Sequence, residues 1–274
     1  MDELRWGWAA TAASGAVWDC EGMDAISARN VRLLRDAGAL AELPHPMTTS
    51  GLARAWFGDF AGAASLIAEA EDLSAATGSP FAPYLALRLR ALQGRAAEAS
   101  ALIASAIAQA DDGGPEMTAA QARWAAAVLY NGLGQYAEAT RAARQATADP
   151  LRTVGVDVRP ARARRGGHAE GDTELARNAL QRLAATTQPC GTDVALGIEA
   201  RSRGLLSDGA DAEHRYREAI EPLSRTRLRP ELARAHLLYG EWLRREGRRH
   251  ETRGQLRTAY DMMVAIGMEA FAER

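Results

Sequence analysis

The sequence contains no lysine: all 33 of its basic residues are arginine. A phosphate-binding loop of the GxxxxGK[ST] type needs a lysine on the nucleotide phosphates, and Schiff-base chemistry needs a lysine amine. Both are excluded within this chain. Cysteine is nearly absent too. Cys20 and Cys190 stand far apart with no CxxC, which is too sparse for a disulfide framework and fits a reduced, cytoplasmic chain. Aromatic residues make up only 6% and β-branched residues are few, so little favours strand over helix. No run approaches the ~18 uninterrupted apolar residues of a membrane span. The opening MDELRWGW is acidic and lacks the apolar segment of a secretory signal. A net charge of −2 gives no global field toward nucleic acid or an anionic membrane.

Several catalytic signatures are missing as well. His45, His168, His214, His236 and His250 never take a metal-ligand spacing, and HETRG is not HExxH. There is no GxSxG. The reading is therefore of no catalytic, cofactor-binding or metal-binding residue. The carboxylates Glu69, Glu71 and Asp72 read as a solvated helix face.

What the chain does have is alanine and leucine, in a pattern. Its 274 residues lie near the limit for one core, so either two domains or a repeat array is expected. Setting Arg123–Pro150 against the closing stretch ELARAHLLYGEWLRREGRRHETRGQLRTAYDMMVAIG aligns Ala127 with Gly240, Tyr130 with Leu243, Gly134 with Gly247 and Ala139 with Thr252. Further along, Ala143 meets Leu256 and Ala146 meets Ala259. The unit is a helix A with a small residue midway, a turn glycine, and a helix B whose residues at +5, +9 and +12 share one stripe. It recurs after Gly58 (Ala63, Ile67, Ala70), after Gly94 (Ala99, Ile103, Ala106), after Gly171 (Ala176, Leu180, Leu183) and near Gly209 (Ala212, Tyr216, Ala219). Successive turn glycines are 36 to 40 residues apart. A less regular first unit spans helices around Leu4–Trp18 and Met23–Ala37. Pro80, Pro115, Pro150 and Pro230 mark unit boundaries, since proline cannot continue a helix.

A hairpin with one apolar face cannot bury that face alone, so units of this length stack. The predicted fold is all-α: a right-handed superhelix of about seven antiparallel helix hairpins, tetratricopeptide-like, over residues 1–274. The structural repeat positions are Gly58, Gly94, Gly134, Gly171, Gly240, Gly247, Ala139 and Ala259. The tryptophans Trp6, Trp8, Trp18, Trp56, Trp124 and Trp242 are expected in the grooves between hairpins, with one or two free to line a ligand surface. The stretch GVDVRPARARRGGHAEGD (Gly155–Asp172) offers four arginines and almost nothing to bury, so the fifth repeat reads as degenerate or loop-like. The basic runs there and in RREGRRHETR lack interleaved aromatics and read as solvated.

The phrases AVLYNGLGQYAEA, GTDVALGIEARSRGLLS, YREAIEPLSRTRLRPELARAHLLYGEWLRREGRR and QLRTAYDMMVAIGMEAFAER resemble the helical-repeat region of large ATP-binding LuxR-type transcriptional regulators. The resemblance covers nearly the whole chain. It implies an N-terminal ATPase module, a helical sensor and oligomerisation segment, and a C-terminal helix-turn-helix. This chain matches only the segment between, and is expected to be truncated before the helix-turn-helix. ATP and DNA are thus implied only through modules that the chain does not contain, and none of their residues carries over. The implied partners are the chain itself, other protein segments and a small-molecule inducer on a concave face, with no membrane. The rival expectation is a free-standing tetratricopeptide-like adaptor that binds a protein or peptide.

Overall fold

The computed structural model describes residues 2–79, 83–146 and 169–274, with side chains from 6 to 79, 83 to 146 and 173 to 274. Among them are fourteen α-helices, one 3-10 segment and no strand, so the all-α expectation holds. In order they are α1 (Asp2–Ala16), α2 (Cys20–Asp36), a 3-10 turn (Leu40–Glu42), α3 (Pro44–Phe57), α4 (Phe60–Thr77), α5 (Tyr84–Gln93), α6 (Ala96–Asp111), α7 (Glu116–Gly132) and α8 (Tyr136–Ala146). Then follow α9 (Ala169–Cys190), α10 (Asp193–Leu206), α11 (Gly209–Ser224), α12 (Arg229–Arg245), α13 (Arg249–Ile266) and the short α14 (Glu269–Ala272). No described helix is long and apolar enough to cross a membrane.

Local chemistry sets the helix ends. The Asp19 carboxylate accepts from Gly22 N–H at 2.8 Å to start α2, and Asp59 does the same with Gly62 to start α4. Such caps stabilise by roughly 0.5–2 kcal/mol. Proline opens α3 and α12, where its missing N–H costs nothing. Pro115 precedes α7, while Pro80 and Pro150 lie outside the described residues. Trp18 stands between α1 and α2 at φ 60, a backbone region that few side chains enter. Its ring is buried in a cluster with Phe57, Leu228 and Leu232, which holds the turn in place.

Helices adjacent in sequence pack on one another: α1 on α2, α3 on α4, α7 on α8, α10 on α11, α12 on α13. The positions at +5, +9 and +12 from the turn form the buried side of the second helices α4, α6 and α11. Ala63, Ala99, Ala212, Tyr216 and Ala219 are fully buried, and Ile67, Ala70, Ile103 and Ala106 nearly so. Small residues sit where paired helices cross. A β-carbon at Gly240 would stand 2.6 Å from Leu256 Cδ2 on α13, and one at Gly197 would stand 2.5 Å from Leu223 Cγ on α11.

Neighbour packing is only part of the fold, because the closing helices also reach back across the chain. α12 rests on α3, and α14 on α7. Phe60, Leu85, Leu89 and Leu129 share one core cluster with Leu237, Met263, Met268 and Phe271. A second cluster joins Cys20, Met23 and Phe57 to Ile198, Leu223 and Leu232. The expectation of serial stacking alone therefore needs extending: the A helices of the early hairpins share their apolar contact with α12–α14.

One expectation is corrected. Gly171 closes no turn; it lies in the first turn of α9, which starts at Ala169. The helix-forming Ala169 and Glu170 carry α9 upstream of it, and Gly171 tolerates helix as it tolerates most conformations. Residues 169–172 of the stretch read as degenerate are thus helical, and the rest of it lies outside the described residues.

Candidate functional site

The remaining repeat positions are architectural. Gly58, Gly94, Gly134 and Gly247 all end helices with left-handed backbone. At Gly94 the requirement is double: φ is 79, and a β-carbon would lie 2.2 Å from the Ala270 β-carbon and 2.8 Å from the Ala270 backbone nitrogen. Gly94 thus admits α14 to the early hairpins. Ala139 and Ala259 are buried on α8 and α13.

Sequence reasoning missed the interior arginines. Arg201 is fully buried, with Nη1 2.6 Å from Glu231 Oε2 and donating to the Glu231 carbonyl at 3.1 Å. Arg234 pairs with the other oxygen of Glu231 at 2.9 Å and lies 5.7 Å from the Phe271 ring centroid. Arg274 grips Glu241, 2.9 Å from its Oε1, and donates to the Asn131 carbonyl at 2.9 Å. Arg88 lies between Trp124 and Trp56, 4.1 and 5.5 Å from their centroids, and donates to Gln121 Oε1 at 3.2 Å. Buried ion pairs of this kind contribute little net stability, but breaking one leaves a charge in a dry interior. These pairs fix how α10, α12 and α14 seat. Part of their signal was available: Arg88 stands between Leu87 and Leu89 in a helix that also carries Leu85, Ala86, Ala91 and Leu92.

Glu213 is a surface counterpart. It accepts from Arg248 Nη1 at 2.6 Å and from Tyr239 Oη–H at 3.1 Å, and pairs with Arg217 at 2.6 Å. The Arg248 hydrogen bond above all holds its carboxyl below the ordinary value. Arg248, within the basic run RREGRRHETR, is thereby engaged in a surface ion-pair network.

Nothing in these networks is arranged as a nucleophile with its base. The Cys20 thiol is pushed up to about 12, first by burial and then by the nearby Asp19 and Glu231 charges, so it stays protonated and unreactive near neutrality. His236 is half-buried and donates from Nδ1–H to Gln255 Oε1 at 2.6 Å. Among the described residues no three His, Cys, Asp or Glu side chains gather as a metal site would require.

The feature most like a binding site is a half-open cavity of about 760 Å³ between α1, α2, the 3-10 turn and the start of α3. That is within the range of roughly 300–1,000 Å³ usual for small-molecule sites. Its floor is buried and largely apolar, formed by Met23, Leu34, Pro44 and Pro46. Thr11, Ser27 and Asn30 interrupt this floor with polar groups. Trp8, Glu42 and His45 stand exposed at the mouth. The tryptophans divide accordingly. Trp18, Trp124 and Trp242 are buried between helices as expected, whereas Trp6 and Trp8 are 62% and 64% exposed, and Trp8 is one that lines the cavity. The reason is that α1 packs on α2 through small residues: a β-carbon at Gly7 would collide with the Asn30 carboxamide at 2.2 Å, and the bulky residues on either side of it point away from α2.

No protein-family model matches the chain, and no curated protein matches it.

Proposed function

We propose that this chain is the sensor and oligomerisation segment of a LuxR-type, ATP-dependent transcriptional regulator, built as a right-handed tetratricopeptide-like superhelix of about seven hairpins. In that role it catalyses nothing itself. ATP belongs to a separate N-terminal module and promoter DNA to a separate helix-turn-helix, with the assembly acting in the cytoplasm. The resemblance of the repeat phrases motivates the assignment. The observation that carries it is the recurring unit itself: paired helices crossing at Gly197 and Gly240, with a small-large-small stripe buried on the second helix. A scaffold of that kind converts occupancy at one place into a change in stacking elsewhere, which is what a sensor between an ATPase and a DNA reader must do.

The cavity under α1 supports the sensor half of this reading, since a ligand there would clamp α1 and α3 onto α2. Translating the DNA on either side of the coding region tests the assignment. A GxxxxGK[ST] motif upstream and a helix-turn-helix downstream, in one reading frame with this chain, are the expected result. Their absence would refute it and leave the free-standing adaptor as the account of the same helices.

A further inference from the structure

We propose that a second copy of this chain docks its α13 on the outward face of α1, so that copies join head to tail. The proposal deepens the oligomerisation half of the reading above and rests on it for the purpose of the contact, though not for its chemistry. From Trp6 to Val17 the chain carries no charged residue. Among the described helices it is α2 that α1 packs on, with Gly7 at the closest approach. The side away from α2 presents Trp6, Ala13, Ala16 and Val17, all exposed. A helix that is apolar all round is a buried helix, and the end unit of a repeat array needs a polar outer face when nothing covers it. On α1 that polar face is missing.

The last long helix departs in the same way. Tyr260 and Val264 on α13 are 53% and 54% exposed. Of the seven large apolar side chains that stand in solvent among the described residues, five lie within 6–17 or on α13; the others are Leu40 and Leu196. Elsewhere in the chain a second helix meets the first helix of the next hairpin: α2 on α3, α6 on α7, α11 on α12. The four-residue α14, which follows α13, turns to α7 and leaves Tyr260 and Val264 uncovered. In a second copy, α1 is a first helix with an apolar outer side, the kind of helix that sits at this place in those three pairs.

Charge sets the direction. Arg249, Arg253, Tyr260 and Val264 follow one another at spacings of four, seven and four, a single stripe of α13 with its cationic half at the start. Both arginines are exposed, and neither is ion-paired among the described residues. Beyond the far end of α1 stand Asp19 and Glu21, also exposed. At ~1.5 Å per residue, Trp6 lies about 20 Å from Asp19, and the Tyr260–Val264 pair about 16 Å from the arginine pair. The two spans match. Laid antiparallel, as helices joined by short turns lie, α1 sets Trp6 on Tyr260 and Val264 while its acidic end meets Arg249 and Arg253. Such a contact joins two different surfaces, so each copy keeps one of each free and the assembly grows as a ring or a filament.

Sedimentation velocity on the full 274-residue chain, alone and at up to about 0.1 mM, tests the proposal; a one-helix interface is small, and micromolar affinity is expected of it. Species larger than a dimer should grow with concentration. Trp6→Arg and Val264→Arg change exposed sites, so the helical circular dichroism should be kept. Each should leave a monomer, a loss of about 30-fold or more in affinity. Mixed one to one, the two variants should form a heterodimer and stop there, because the intact α13 of the first meets the intact α1 of the second. Glu21→Arg should weaken association by about two- to fivefold at low salt. A chain that stays monomeric throughout overturns the proposal and leaves the α1 face to a segment of a different protein. A dimer that Val264→Arg leaves intact overturns it too, as two α1 faces meeting about a twofold axis, and so does a variant mixture without a heterodimer. Association unchanged by Glu21→Arg would overturn the antiparallel docking. Neither ATP nor promoter DNA enters these measurements. Flanking DNA without a GxxxxGK[ST] motif would refute the regulator and leave the contact standing, whereas a monomeric chain would refute the contact alone.

Discussion

The first hairpin and the last are made of the same parts and have opposite interiors. In α12–α13 a glycine lets two helices close on packed side chains, and buried ion pairs tie α12 to Arg201 on α10 and to Arg274 after α14. In α1–α2 a glycine again permits close approach, but the group it admits is Asn30, which faces a void. The last hairpin is shared by the early hairpins through α14. The first meets the later helices only from its α2 side, through Trp18, Cys20 and Met23, while two tryptophans of α1 stand in solvent. The same motif thus serves as a seat for packing at one end and as the wall of a chamber at the other.

That contrast can be broken in order of size. Phe271→Ala removes a ring that is 1% exposed and sits against Gly132 on α7, and should cost about 3–5 kcal/mol by chemical denaturation. A loss under about 1 kcal/mol would mean that α14 is not part of the common core. Next comes a matched pair. Gly197→Ala places a methyl group 2.5 Å from the buried Leu223 and 3.1 Å from the Ala219 carbonyl, neither of which has room to move. Overpacking of that sort costs roughly 1–3 kcal/mol. Gly7→Ala meets an even closer contact, but the Asn30 tip can swing into the cavity, so stability should hold or rise with the gain in helix propensity of up to about 1 kcal/mol. Equal losses from the two would erase the distinction between seat and chamber.

The smallest effect is in pH. Burial holds the His236 imidazole, on α12 against α13, below its ordinary value of 6.5, and the Gln255 hydrogen bond offsets only part of that. The unfolded chain then takes up a proton that the folded chain resists. Stability is complete above about pH 6.5 and falls as the pH drops from there toward the lowered folded value. His236→Gln should flatten that slope in denaturation midpoints measured on either side of about pH 6.5.

The fold was legible in the sequence where its determinants are local. The stripes Ala99–Ile103–Ala106 and Ala212–Tyr216–Ala219 are buried because spacings of three and four place them on one face, and that periodicity is written in the chain. The docking of Phe271 on Gly132 is not, since it joins residues 139 apart and no periodic pattern encodes which distant hairpin a helix will meet. Arginine composition pointed outward, yet Arg88 and Arg201 are interior, because an aromatic pair or a buried carboxylate can stand in for water around a guanidinium group. Gly171 matched the turn template and is helical, glycine being common to both. The cavity left no trace in the pattern at all. An empty volume is made by what surrounds it, and Asn30 alone on its helix reads like any polar residue.

The central claim is that the closing helices complete the core of hairpins far from them in sequence, and hydrogen exchange tests it most directly. A chain ended after Gly267 lacks Met268, Phe271 and Arg274 but keeps every adjacent-helix contact from α1 to α13. The account predicts that amides of α5 and α7 lose protection along with those of α13. Loss confined to α13, with α5 and α7 exchanging as in the full chain, would contradict it.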